Sequence, residues 1–139
     1  MMLKYLLILV VAAAASDVAV DIRGQFLCKG KPYSHLIVKL VEVNIFFPNK
    51  RLRTMRTNAD GNFSTSATAS SWLFEPNLQI RLRNHCYHGM NMTIGYRHCG
   101  VPMSWSIPSE AKSDGHLPKT TFDFGVHDLV TDYSMFRCY

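Results

Sequence analysis

Past its first residues this chain has no long, clean helical period; the best helical prospect is one turn around Pro108–Lys112. That leaves no basis for a helical bundle or an alternating α/β fold. Only the N-terminal stretch is continuously apolar, and it falls short of the roughly 20 residues needed to span a bilayer. The remaining chain is therefore expected to be soluble and not membrane-spanning. Repeats, low-complexity tracts and linkers are absent, so one ordinary domain is expected. There is also no Ser/His/Asp ordering and no G-x-S-x-G elbow of the kind that serves acyl transfer. Charge is scarce. The formal net charge is +5, or about +4 without Lys4, which is too mild and too dispersed to imply nucleic acid. It favours anionic partners such as phospholipid heads, sulfated glycans or acidic proteins.

The opening residues read as a secretory signal over 1–15. Lys4 supplies the positive n-region, Tyr5 to Val11 the apolar h-region, and Ala12 to Ala15 the small residues before cleavage near Ser16. The expectation is a secreted, extracellular domain over 16–139. Its four cysteines, Cys28, Cys86, Cys99 and Cys138, are an even set. In an oxidising compartment they are expected to form two disulfides, with three pairings possible on paper. The favoured pairing joins Cys86 to Cys99 across neighbouring strands and Cys28 to Cys138, tying the first strand to the tail. Two sequons, Asn62-Phe63-Ser64 and Asn91-Met92-Thr93, are acceptors for N-glycans. Asn62 sits hard against a turn, which makes Asn91 the better acceptor.

Several segments show the two-residue period of half-buried strands. Val18, Val20 and Ile22 alternate with Ala19, Asp21 and Arg23, and the extended segment continues to Cys28. Lys29-Gly30-Lys31-Pro32 is turn chemistry. His35–Val43 reads as a central strand, Leu52–Thr57 as a shorter, more polar one, and Phe63–Thr68 as a Ser/Thr-rich edge strand. Leu78, Ile80 and Leu82 face inward against Gln79, Arg81 and Arg83. Thr93–Cys99, Ser104–Ile107 and Phe122–His127 complete the set. Seven to eight short strands separated by turn signals predict an all-β antiparallel sandwich.

An ordered set of short motifs runs along these strands. It comprises Arg23-Gly24-x-x-x-Cys28-x-Gly30-Lys31-Pro32, Val38-Lys39-Leu40, Thr57-Asn58-x-Asp60-Gly61-x-Phe63, Pro76-x-Leu78-x-Ile80, His85-Cys86, Cys99, Ile107-Pro108, Asp123-x-Gly125 and Arg137-Cys138. In this order the chain resembles the nematode transthyretin-like proteins over nearly all of its mature length. The resemblance implies a secreted, prealbumin-type sandwich. It also implies a role in extracellular binding or recognition, including contact with exposed cell-surface lipid. One departure stands out. The family's acidic run between the second and third strands is replaced by Asn44-Ile45-Phe46-Phe47-Pro48-Asn49-Lys50-Arg51-Leu52-Arg53.

That replacement is the sharpest candidate site. Phe46 and Phe47 are suited to a lipid interface or a partner pocket, while Lys50, Arg51, Arg53 and Arg56 engage anionic heads at about 1 kcal/mol each. The plain alternative buries both phenylalanines in the core and leaves the cations on a solvated strand face. Other constellations carry less. Cys86, His88, His98 and Cys99 can be drawn as a zinc site, but disulfides compete for both sulfurs and the spacing fits no zinc module. Asn58-x-Asp60-x-Asn62 lacks the distant glutamate of a calcium loop and reads as a turn. No metal or cofactor is expected.

Catalysis is not expected either. The hydroxyisourate hydrolases related to transthyretin use a C-terminal Tyr-Arg-Gly-Ser tail, whereas this chain ends Phe136-Arg137-Cys138-Tyr139, and His35, His85, His116 and His127 are scattered. The leading expectation is binding of an extracellular protein, glycan or anionic lipid surface through Phe46, Phe47, Lys50, Arg51 and Arg53. The alternative is carriage of a small apolar ligand within an oligomer.

Overall fold

Alternating apolar residues become the inner faces of two packed sheets. The computed structural model describes residues 16–71, 74–87 and 99–138. The expected signal over 1–15, the Asn91 sequon, His88, His98 and most of the expected Thr93–Cys99 strand lie outside the described residues. The long first strand, β1 (Ser16–Cys28), turns Val18, Val20, Ile22 and Phe26 inward, all but sealed from solvent, with Asp21, Arg23 and Gln25 on its other face. It is followed by β2 (Lys31–Pro32), β3 (Ile37–Val43), β4 (Lys50–Arg56), β5 (Asn62–Ser71) and β6 (Asn77–Asn84). Then come β7 (Cys99–Ser106), β8 (Ser113–Asp114), β9 (Phe122–Asp128) and β10 (Arg137–Cys138). The helical prospect near Pro108 is one 3-10 turn, Ser109–Ala111.

One sheet is organised around β1. Along one side it pairs antiparallel with β5 from Ser16 to Gln25 and then with β2 at Leu27 and Cys28; along the other it meets β8 antiparallel and β9 parallel. The second sheet is antiparallel throughout, in the order β10-β7-β6-β3-β4. Val38 and Leu40 of β3 and Leu78, Ile80 and Leu82 of β6 face the β1 side chains and close the core. Burial of each such side chain contributes about 1.5–3 kcal/mol. The expected all-β sandwich is therefore what the chain forms, with seven long strands and three two-residue ones among the described residues.

The Thr57–Phe63 motif builds a junction between strands. Thr57 is buried; its hydroxyl accepts the Leu36 N–H at 2.8 Å and donates to the Tyr33 carbonyl at 2.6 Å. The Asn58 side-chain oxygen accepts the N–H groups of Asp60 and Asn62, both at 2.9 Å, which closes the turn expected in place of a calcium loop. Gly61 has φ +76°, and a Cβ there would collide with the Phe26 carbonyl oxygen. Phe63 then enters the core and stacks on Phe26, centroids 5.2 Å apart.

The disulfide pairing departs from the sequence expectation. The bridges are Cys28–Cys86 and Cys99–Cys138, with Cα separations of 5.8 and 4.0 Å. Continued in register, β6 would have set Cys86 opposite Cys99, since Asn84 faces Val101. The strand ends first. The buried Asn84 accepts the Cys86 N–H at 2.9 Å, the Tyr33 hydroxyl accepts the His85 N–H at 2.9 Å, and the chain bends inward. Cys86 is thereby buried against the end of β1 and bridges the two sheets. The tail adds β10 to the free edge of β7, which places Cys138 directly across from Cys99.

Candidate functional site

The connection between β3 and β4 is held shut at its base. The Asn44 backbone N–H donates to the Asn49 side-chain oxygen at 3.1 Å, and the Asn44 side-chain amide donates to the Pro48 carbonyl at 3.1 Å. A short loop closed in this way cannot fold its apolar residues under the sheet. Ile45, Phe46 and Phe47 are 81%, 79% and 75% exposed. Single exposed hydrophobics are ordinary, and Phe74, Leu117 and Val126 are of that kind here. Three in succession at a loop tip form a contiguous apolar projection. The phenylalanines do not enter the core.

The structure sorts the associated cations. Lys50 and Arg51 are exposed at the start of β4, next to the tip. A bulge follows, where the pairing with β3 shifts between Arg51 and Arg53. Leu52 packs against the core and Arg53 turns toward the other sheet. There Arg53 Nε donates to the Ser66 carbonyl at 3.2 Å and its Nη1 to the Leu52 carbonyl at 2.8 Å. Arg53 thus ties the edge of β4 to β5 and is set apart from the tip. Arg56 lies at the far end of the strand. The tip group is Ile45, Phe46, Phe47, Lys50 and Arg51. Ile45 was not singled out in the sequence, although the breakdown of alternation after Val43 marks it.

Glu42 lies on the inner face opposite Lys50 and is nearly buried. Burial raises its carboxyl above the usual carboxylate range, and the Lys50 charge offsets part of that.

The other candidates stay dispersed. His127 lies tilted against Phe124, ring centroids 4.4 Å apart, beside Trp105 and Phe26. His116 is 3.4 Å from Asp17, and His35 occupies a turn with φ 60°. His85 is half-buried; burial and then the Arg83 charge lower its pKa. Cys86 and Cys99, drawn above as zinc ligands, are both bridged to other cysteines. Asn62 and Ser64 of the first sequon are exposed. An open cleft of about 440 Å3 lies over the outer side of β1 and β9, with Arg23, Gln25, Asn58, Asn62, Asp123 and Val126 among its walls. A smaller one of about 290 Å3 sits beside Trp105, Met103 and Met135. Among the described residues no helix is long and apolar enough to cross a membrane.

The architecture and its projecting loop define a class, the two-sheet β-sandwich that presents loops from a rigid frame. The model of the transthyretin-like family, TTR-52, matches residues 23–108, well over half of the chain. The chain belongs to the transthyretin-like family. Nothing among curated proteins matches it. A 9R-lipoxygenase from Cyanothece PCC8801 is one similar solved structure, with 16% identity and a TM-score of 0.42. That match covers 80% of this chain and only 16% of the lipoxygenase, and it carries no argument about fold or chemistry here.

Proposed function

We propose that this is a secreted recognition protein, not an enzyme, that docks on anionic cell-surface lipid through the tip between β3 and β4. The observation that supports this reading is the exposure of Ile45, Phe46 and Phe47 beside Lys50 and Arg51. Amphipathic elements bind interfaces by burying apolar side chains at the headgroup boundary while adjacent cations meet anionic heads. The two disulfides suit the oxidising compartment that such a role requires. Arg53 is left out of the docking group, because its guanidinium is engaged between the sheets.

Co-sedimentation with phosphatidylcholine vesicles containing phosphatidylserine tests the proposal. Phe46→Ser/Phe47→Ser is expected to weaken binding at least about thirtyfold, equivalent to about 2 kcal/mol of lost apolar burial. The melting temperature should not move, because neither ring packs in the fold. Lys50→Glu/Arg51→Glu should abolish salt-sensitive binding. Wild-type affinity in either variant rejects the tip as the docking element.

A further inference from the structure

The outer face of the second sheet collects cations that lie far apart in sequence. Lys39 pairs across the strands with Arg81 on one side and Thr54 on the other. Arg83 is two residues along β6 from Arg81, on the same face. Arg51 pairs with Val41 and Arg56 with Ile37, both on that face. Paired positions lie about 5 Å apart and alternate positions along a strand about 7 Å apart, so the cations form a strip running the length of the sheet. Ile37 and Val41 stand between the cations of β4 and β6, while Ser104 and Ser106 flank them on β7 and the Gln79 side-chain oxygen accepts from Arg81 Nε at 2.9 Å. None of the described outward positions of β3, β4, β6 and β7 is acidic; Glu42 points inward. The opposite sheet carries Asp17, Asp21 and Asp123 outward, with Arg23 3.7 Å from Asp123, so its outer face leans acidic where this one is basic.

We infer that this strip binds a sulfated polysaccharide laid along the strands. The face is pleated and narrow, with hydroxyl and amide groups along its β6–β7 side; of its apolar residues on β3, Val41 is nearly buried and Ile37 is exposed at the strand end. A protein interface would need an apolar centre, whereas Lys39 and Arg81 occupy the middle of this face. A bilayer entered by the tip would stand the strands upright and turn the face side-on to the headgroups, so the two surfaces serve different partners. Four of the five cations are arginines, whose guanidinium forks bind planar oxyanion edges with two parallel hydrogen bonds. The inference shares with the reading above the extracellular compartment and Arg51, which stands where the tip meets the face.

The test uses the full mature chain and a heparin-derived octasaccharide, titrated at several salt concentrations. Lys39→Gln/Arg81→Gln/Arg83→Gln is expected to weaken binding at least tenfold and to flatten the salt dependence by about two to three in log–log slope. Arg51→Gln/Arg56→Gln, at more exposed positions, is expected to act in the same direction and serves if the triple variant does not fold. The chemically desulfated octasaccharide should not bind, and Phe46→Ser/Phe47→Ser should leave the octasaccharide affinity unchanged. The inference is overturned if folded face variants bind within twofold of wild type, if the desulfated chain binds equally, or if the tip variant removes the binding. Loss of vesicle binding in the tip variant, with octasaccharide binding intact, keeps the two sites distinct.

Discussion

Replacing Cys28 and Cys86 together by alanine removes the bridge between the two sheets. The bridge closes a segment with a sequence separation of 58 residues. Chain-entropy reasoning assigns such a closure about 4 kcal/mol of stabilisation through the unfolded state. Both cysteines are buried, so the native state cannot relax by releasing a surface segment. Nearly the whole effect should appear as lost global stability. Cys99–Cys138 closes a separation of 39 residues, which the same reasoning values at nearly as much. Its second cysteine, however, lies exposed on a two-residue strand. Without that bridge β10 can leave β7 while the sandwich stays folded, and the global cost should fall to about 1–2 kcal/mol. Urea denaturation followed by tryptophan fluorescence separates the cases, because Trp105 sits 5.7 Å from Phe26. At about 2 kcal/mol/M the midpoint should drop by roughly 2 M for Cys28→Ala/Cys86→Ala and by about 0.5–1 M for Cys99→Ala/Cys138→Ala. Equal drops would refute this reasoning, as would non-reducing peptide mapping that recovers Cys86 joined to Cys99.

Thr57→Val keeps shape but leaves the Leu36 N–H without its partner; a loss of about 1–3 kcal/mol is expected in the same denaturation assay. Gly61→Ala forces a side chain into left-handed backbone against the Phe26 carbonyl, and should cost about 2–4 kcal/mol by thermal unfolding. Glu42→Gln tests burial of the carboxyl. Because burial raises the folded pKa of Glu42, its contribution is present in acid below the unfolded value and is lost as pH rises through the folded value. The glutamine variant should be more stable than wild type at pH 7, with the difference disappearing near pH 4. A constant difference across that range would contradict the assignment.

What was legible in the sequence follows from what a strand period encodes. Val18, Val20 and Ile22, and Leu78, Ile80 and Leu82, announce one buried face each, and those faces meet in the core. The Asn58–Gly61 turn was legible because its chemistry is local. Partner choice is not local. Nothing in the Phe122–His127 alternation says that β9 lies parallel to β1, and the tail strand β10 is too short to carry a period. The disulfide connectivity was misread for a related reason. Cys86 and Cys99 stand in the right places on adjacent strands, and only the bend after Asn84 removes one of them. The tip was legible as a segment but not as an exposed one, because the exposure of Phe46 and Phe47 depends on Asn44 closing the loop base. Arg53 looked equivalent to Arg51 until the bulge at Leu52 turned it away. The basic strip needs the register of three strands, and no window of sequence contains it.

The most direct measurement of the central claim places a reporter at the tip. In Phe46→Trp, the difference in emission from wild type isolates the new indole from Trp72 and Trp105. On phosphatidylserine-containing vesicles that difference spectrum should shift to the blue and be quenched by lipids brominated high on the acyl chain. An indole that stays water-exposed and unquenched while the protein is vesicle-bound would contradict docking through this loop.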